Sequence, residues 1–137
     1  MSLDYSKPEK QFDRVTKNVS LTLGVPICLI SLVDMKNVYF KSRCGLDTEG
    51  IDRRLGFCSY TIADNQTSPY VVPNTLEDPL FCNNPVVVGP PHIRFYAGAA
   101  LKIKGFKIGT LCVLDSSPRI LSKEEQGLLL SFSEVVV

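Results

Sequence analysis

The chain has 137 residues, 45% hydrophobic and 21% charged. That is room for one domain with its own core, and it is too apolar for a disordered tail or a fibre. Fifteen lysines and arginines stand against 14 aspartates and glutamates, a formal net charge of +1, so no general pull toward nucleic acid or an anionic membrane exists.

Phe12, Val15, Val19 and Leu23 recur at spacings of three and four, which predicts a helix over about Pro8 to Leu23. Gly24 suits the position after its last turn, and Pro26 bars continuation. Ile27 to Asp34 has no polar face and predicts a central strand covered on both sides. After a turn at Met35 to Asn37, Val38 to Cys44 alternates. Val38, Phe40, Ser42 and Cys44 are expected on one face, and Tyr39, Lys41 and Arg43 on the other. Gly45 to Gly56 reads as a charged loop with a short helical turn, and Phe57 to Ala63 as a short helix.

The stretch from Asp64 to His92 differs in kind. It holds six of the nine prolines and no lysine or arginine, yet it carries Tyr70, Val71, Val72, Leu80, Phe81 and Val86 to Val88. A long segment this apolar is expected to fold back as a lid, with a short edge strand near Tyr70 to Asn74. Ile93 to Ile103 alternates. Ile93, Phe95, Ala97, Ala99 and Leu101 share one face; Arg94, Tyr96, Gly98, Ala100 and Lys102 share the other. Lys104-Gly105 supplies a turn, and Phe106 to Asp115 returns as a second central strand. Ser122 and Glu125 stand at capping-box spacing before the apolar stripe Leu128, Leu129, Phe132, Val135 and Val136. The apolar end at Val135 to Val137 reads as cut from a longer helix or as packing on a partner.

Strands joined as hairpins with helices at both ends predict an α+β sandwich. About six antiparallel strands carry the terminal helices on one face and the proline-rich lid on the other. The residues also resemble a GAF domain, the small-molecule-sensing module of many signalling proteins. The resemblance rests on Leu32-Val33-Asp34, Phe40-Lys41-Ser42, Gly45-Leu46-Asp47 with Glu49 and Arg53, and Phe57-Cys58. It continues through Tyr70-Val71-Val72-Pro73, Asp78, Phe81, Asn84-Pro85, Ile93 to Gly98, Gly109 to Val113, and Pro118-Arg119. Asn74, Leu80 and Ala100 depart from the family pattern. The resemblance implies a single domain over about 8–137 and a cavity between sheet and lid. It also implies a regulatory role beside an effector domain. The NKFDE pattern of cyclic-nucleotide members is absent, and no cysteine precedes His92 as bilin attachment often requires.

Arg94 follows a long cation-free stretch. It reads either as an anchor for an anionic ligand or as a salt bridge to Asp78 that pins the lid. Phe57, Ile62, Tyr70, Phe81, Phe95 and Tyr96 are candidates for an aromatic pocket wall, with ordinary core packing as the alternative. Gly98 and Gly109 would leave space above the sheet or allow a close approach. Cys58 and Thr110 complete the candidate lining.

The five cysteines are Cys28, Cys44, Cys58, Cys82 and Cys112. An odd set cannot pair completely, and no CxxC exists for zinc or a thioredoxin-type disulfide. Cys28 and Cys112 read as small buried hydrophobes. No metal site is expected, and no cofactor is assigned. A reducing, cytoplasmic setting follows from the cysteines and from the lack of a signal or membrane-spanning segment.

Three functions follow. One is a non-catalytic sensor whose unidentified small molecule is relayed through the terminal helices to an adjoining effector domain or a homodimer partner. The second is a thiol enzyme of the methionine-sulfoxide-reductase kind using Cys58 and Cys82. The third is a ligand-free dimerisation module.

Overall fold

Two strands without a polar face end up in the middle of the sheet. In a computed structural model, which describes residues 10–33, 37–46, 50–52, 57–62, 69–103 and 106–136, β1 (Ile27–Val33) and β6 (Phe106–Asp115) pair antiparallel, Ile27 opposite Leu114. Outward from β1 lie β2 (Asn37–Cys44) and β3 (Gly50–Asp52); outward from β6 lie β5 (Phe95–Ile103) and β4 (Tyr70–Val72). The six strands run in the order β3-β2-β1-β6-β5-β4, and every neighbouring pair is antiparallel.

β3 corrects the sequence reading, which expected loop there. Its backbone pairs along the free edge of β2, Val38 opposite Ile51, and three residues are too few for alternation to reveal a strand. Of the turn expected at 35–37 only Asn37 is described, and it begins β2; the turn expected at 104–105 and the start of the first helix at 8–9 lie outside the described residues.

A second correction concerns β2. Its register against β1 slips between Ile30 and Ser31, so that Ile30 opposes Ser42 and Ser31 opposes Phe40. Lys41 is the extra residue of this bulge, which resets the alternation. Val38 and Phe40 therefore pack with the lid side, while Ser42 turns to the helices. There its hydroxyl lies 3.0 Å from Thr16 Oγ1 and donates to Asp13 Oδ1 at 2.5 Å. Thr16 is a buried helix-face residue that the apolar spacing did not flag.

α1 (Lys10–Leu23) and α4 (Lys123–Val136) cover one face. Phe12, Val19, Leu23, Leu129 and Val136 pack on Cys28, Ile30, Ala97, Ala99, Leu111 and Val113. The alanines of β5 let the helices approach closely. Gly24, at φ +64°, ends α1 in the left-handed region that favours glycine. The capping box forms as expected: Glu125 N donates to Ser122 Oγ and Ser122 N to Glu125 Oε1, both at 3.1 Å. No described helix is long and apolar enough to cross a membrane.

The opposite face carries the proline-rich roof. α2 (Cys58–Thr61) precedes it, and two short helical turns lie within it. Asn74 caps a 3-10 turn at Thr75–Glu77, and Asn84 caps α3 (Pro85–Val88), whose first turn holds Pro85. The roof is stitched down through the backbone. Thr75 N donates to Arg94 O at 2.9 Å, Ile93 N to Val86 O at 2.9 Å and Arg119 N to Pro73 O at 3.1 Å. Arg119 also reaches Gly24 O at 3.0 Å and pairs with Asp115 at 3.6 Å, joining the end of α1 to β6. Ile93 belongs to the roof cluster and not with Phe95, because β5 begins only at Phe95 and the chain before it follows the roof.

Candidate functional site beneath the roof

Aromatic rings fill the ground between sheet and roof. Tyr96 projects from β5, Tyr70 from β4, Phe57 precedes α2, and Phe81 descends from the roof. Phe57 stacks on Tyr96 at 5.1 Å between centroids and meets Phe81 at 4.6 Å; Tyr70 lies 6.4 Å from both Phe81 and Tyr96. Phe81 and Tyr96 are 1% and 0% exposed. Four of the expected wall residues thus meet, and they meet each other. Phe95 does not join them. It is fully buried in the helix-side core, because neighbours on a strand point to opposite faces.

The space that Gly98 leaves is taken by Tyr96. A Cβ at residue 98 would collide with Tyr96 Oη and lie 2.8 Å from Cζ. Gly109 serves a close approach instead, since a Cβ there would run into the β1 carbonyl oxygen of Ser31.

Arg94 and Asp78 do not pair. Arg94 donates from its guanidinium to Val87 O at 2.6 Å and to its neighbour Ile93 O at 3.3 Å. Asp78 builds a roof turn: its carboxylate accepts from Leu80 N at 2.9 Å and its carbonyl from Cys82 N at 2.9 Å. Arg94 still pins the roof, through a carbonyl of α3 and not through a carboxylate. Its replacement by methionine is expected to strand Val87 O and cost about 1–3 kcal/mol. The loss should appear as faster amide exchange in α3 with the sheet protected as before.

Polar groups gather on one sulphur. Thr110 donates to Cys58 Sγ at 3.2 Å, and Tyr96 donates to it at 3.9 Å. Thr61 Oγ1 lies 2.6 Å from Tyr96 Oη, and Ser31 Oγ lies 4.0 Å from Cys112 Sγ. Interaction with the Cys112 thiol lowers the Cys58 pKa, burial opposes it, and Thr110, Ser31 and Tyr96 lower it further. Cys112 is held well above the ordinary thiol range, by Cys58 and by burial. Ile62, half-buried, closes α2 through its N–H on Cys58 O at 3.2 Å.

Cys112 is fully buried, as its apolar run suggested, on the roof side of β6. The available signal was its parity with Thr110 on β6. Cys82 stands half-buried on the turn at 81–83, and no disulfide joins it to Cys58. Among the described residues, every buried side-chain nitrogen and oxygen has a partner, and no cluster of three metal-ligating side chains occurs.

Burial and the nearby Cys44 raise the pKa of Cys28; Cys58, then burial, raise that of Cys112; burial likewise raises that of Tyr96. The folded state keeps protons that the unfolded chain releases, so these groups stabilise below their unfolded pKa values, near 9.0 for the thiols and 10.0 for Tyr96. Stability is expected to fall as pH rises past about 9. Urea titrations from neutral to alkaline pH check this, and Cys28→Ala should flatten the slope.

The family model for the GAF domain matches residues 7–137. A cyclic di-GMP phosphodiesterase of Pseudomonas aeruginosa is 35% identical over 131 residues, covering 94% of this chain; the chain spans only 22% of that relative. Among solved structures, a type II free methionine-R-sulfoxide reductase from Thermoplasma acidophilum is similar, with TM-score 0.75, 14% identity and coverage of 92% and 86% of the two chains. The GAF domain from an Acinetobacter phosphoenolpyruvate-protein phosphotransferase is also similar, with TM-score 0.74, 16% identity and coverage of 96% and 79%.

Proposed function

This chain belongs to the GAF domain family, and from that premise we propose that it is a non-catalytic regulatory module of a signalling protein. A small, largely apolar guest enters between sheet and roof. The response passes through β5 and β6 to α1 and α4, and from them to an adjoining effector domain or a second subunit. The single domain over about 8–137 is the unit that carries this function, in a cytoplasmic setting that suits five free thiols.

One observation carries the reading. The four-ring cluster of Phe57, Tyr70, Phe81 and Tyr96 lies on the sheet face opposite the two long helices, and the same strands support both. A planar guest would exchange ring–ring contacts for ring–guest contacts, which needs little new polar chemistry. The anionic-ligand alternative is weaker, since the Arg94 guanidinium is already engaged by carbonyls.

Native mass spectrometry of freshly purified protein tests the proposal. A retained small molecule, with roof amides that lose protection when it is stripped, is the expected result. A bare polypeptide whose roof exchange ignores added metabolites would leave only a dimerisation module, and the same spectrum reports the oligomeric state. Multiple turnover of methionine-R-sulfoxide with a thiol reductant would replace the non-catalytic reading with an enzymatic one.

A further inference from the structure

We infer that Arg94, Asp115 and Arg119 form a relay that couples the roof to the end of α1 around the end of the sheet, where β5 begins and β6 stops. The Arg94 guanidinium donates to Val87 O in α3 at 2.6 Å, and the Arg94 main-chain N–H donates to Asp115 O at 2.8 Å. The Asp115 carboxylate lies 3.6 Å from Arg119 Nε and accepts from Ser117 N at 3.1 Å. Arg119 in turn donates to Gly24 O at 3.0 Å and to Leu23 O at 3.5 Å. A second connection runs beside the first. Arg119 N donates to Pro73 O at 3.1 Å and Thr75 N to Arg94 O at 2.9 Å, while the buried Thr75 hydroxyl donates to Ile93 O at 2.7 Å.

Packing offers the roof and α1 no such link. They lie on opposite faces of the sheet: Phe81 and Val87 belong to one core cluster, Val19 and Leu23 to the other. The central strands, covered on both sides, stand between them. Polar ties at the end of the sheet bypass that barrier, and they grip backbone at both extremes. Arg94 holds a carbonyl of α3. Arg119 holds carbonyls at the end of α1, which have no partner further along the helix and favour a cation.

The connector after β6 carries the link on to α4. Leu121, two residues beyond Arg119, is buried in the helix-side core, and its carbonyl accepts from Gln126 Nε2 at 3.1 Å. One short segment thus touches the roof through Pro73, α1 through Gly24 and α4 through Gln126. A roof that lifts at Pro73 and Thr75 draws Arg119 away from Gly24. A shifted end of α1 loosens the roof in return, since coupling is reciprocal. The use of this link as a signal rests on the regulatory reading above; the link itself does not.

The side chains of Arg119 and Asp115 remain 29% and 16% exposed, where an ion pair adds little to stability. Removing the Arg119 side chain is therefore expected to leave the unfolding midpoint nearly unchanged and to alter how the two ends communicate. After Arg119→Met the backbone N–H of residue 119 can still bond Pro73 O, so the substitution cuts the helix half of the relay and spares the roof half. Arg94→Met cuts the opposite extreme, at Val87 O.

A route between distant elements is established by measured coupling. The test follows amide exchange in the full chain, with no guest added, for the unsubstituted protein, Arg94→Met, Arg119→Met and the double variant. The amides read are Val25, bonded to Ser20 O at the end of α1, and Thr75 and Ile93 of the roof; neither substitution deletes their bonds. Arg119→Met is expected to speed Thr75 and Ile93 about fivefold or more as well as Val25, and Arg94→Met to speed Val25 likewise. The double variant should fall short of the product of the two effects. Central amides of β1 and β6 should keep their rates. Strictly local effects, with Arg119→Met confined to Val25 and Arg94→Met to the roof, would overturn the relay. So would equal acceleration of the central strands, which would mean one cooperative core and no separate link. Coupling in a protein that retains no guest keeps the relay and sinks the sensor. A retained guest that protects the roof, without coupling to Val25, does the reverse.

Discussion

Replacing Gly98 with valine is expected to cost about 3 kcal/mol of unfolding free energy. The first added carbon already overlaps Tyr96 Oη and comes within 3.1 Å of Thr61 Oγ1. Tyr96 cannot step aside cheaply. Its hydroxyl is 2.6 Å from Thr61 and its ring is stacked on Phe57, both inside a buried cluster. A double-mutant cycle assigns the cause. Gly98→Ala is expected to be less costly in a Tyr96→Phe background, because the overlapping oxygen is gone. Strict additivity in urea titrations would show that something other than this contact excludes a side chain at residue 98. Gly127 on α4 is the control: no atom lies within 4 Å of an added Cβ, so Gly127→Ala should gain about 0.5–1 kcal/mol from helix propensity alone.

The same pair of residues marks what a sequence can and cannot disclose. Alternation along β5 assigns Tyr96 and Gly98 to one face and Phe95, Ala97 and Ala99 to the other, and the structure keeps that division. Parity does not tell which face lies under the roof, nor that a tyrosine will lean over a glycine two positions on. Grouping Phe95 with Tyr96 as one pocket wall therefore conflicted with strand geometry itself. The central positions of β1 and β6 were legible because strands covered on both faces lack a polar side. The bulge at Lys41 was not, since one extra residue reverses the phase of Ser42 without disturbing the apparent alternation. The roof was legible as apolar and proline-rich. Its helical turns had a local signal too, in Asn84 followed by Pro85 as a cap and first turn. The convergence of Thr110 and Tyr96 on Cys58 had no local signal, because it joins residues far apart in the chain and depends on where α2 lands.

Phe81→Ala should be the most damaging single truncation on the roof side, at about 3–5 kcal/mol. Phe81 is 1% exposed and is held between Phe57 and Tyr70. Its loss leaves an apolar hollow and frees the roof segment around Asp78, whose backbone carbonyl binds the amides of Phe81 and Cys82. Amide exchange should quicken first at 75–89, ahead of β1 and β6, because the central strands keep their helix-side core. The hollow is lined by rings and should take up a small arene such as benzene, whose binding restores part of the lost midpoint in proportion to its concentration over Kd. The prediction also bears on the guest. If a guest must displace Phe81 to reach Tyr96, that displacement costs affinity in the unsubstituted protein and costs none once the ring is absent. Weaker guest binding by Phe81→Ala would mean the ring is a contact and not a gate, while unchanged stability on truncation would mean the roof does not rest on this cluster.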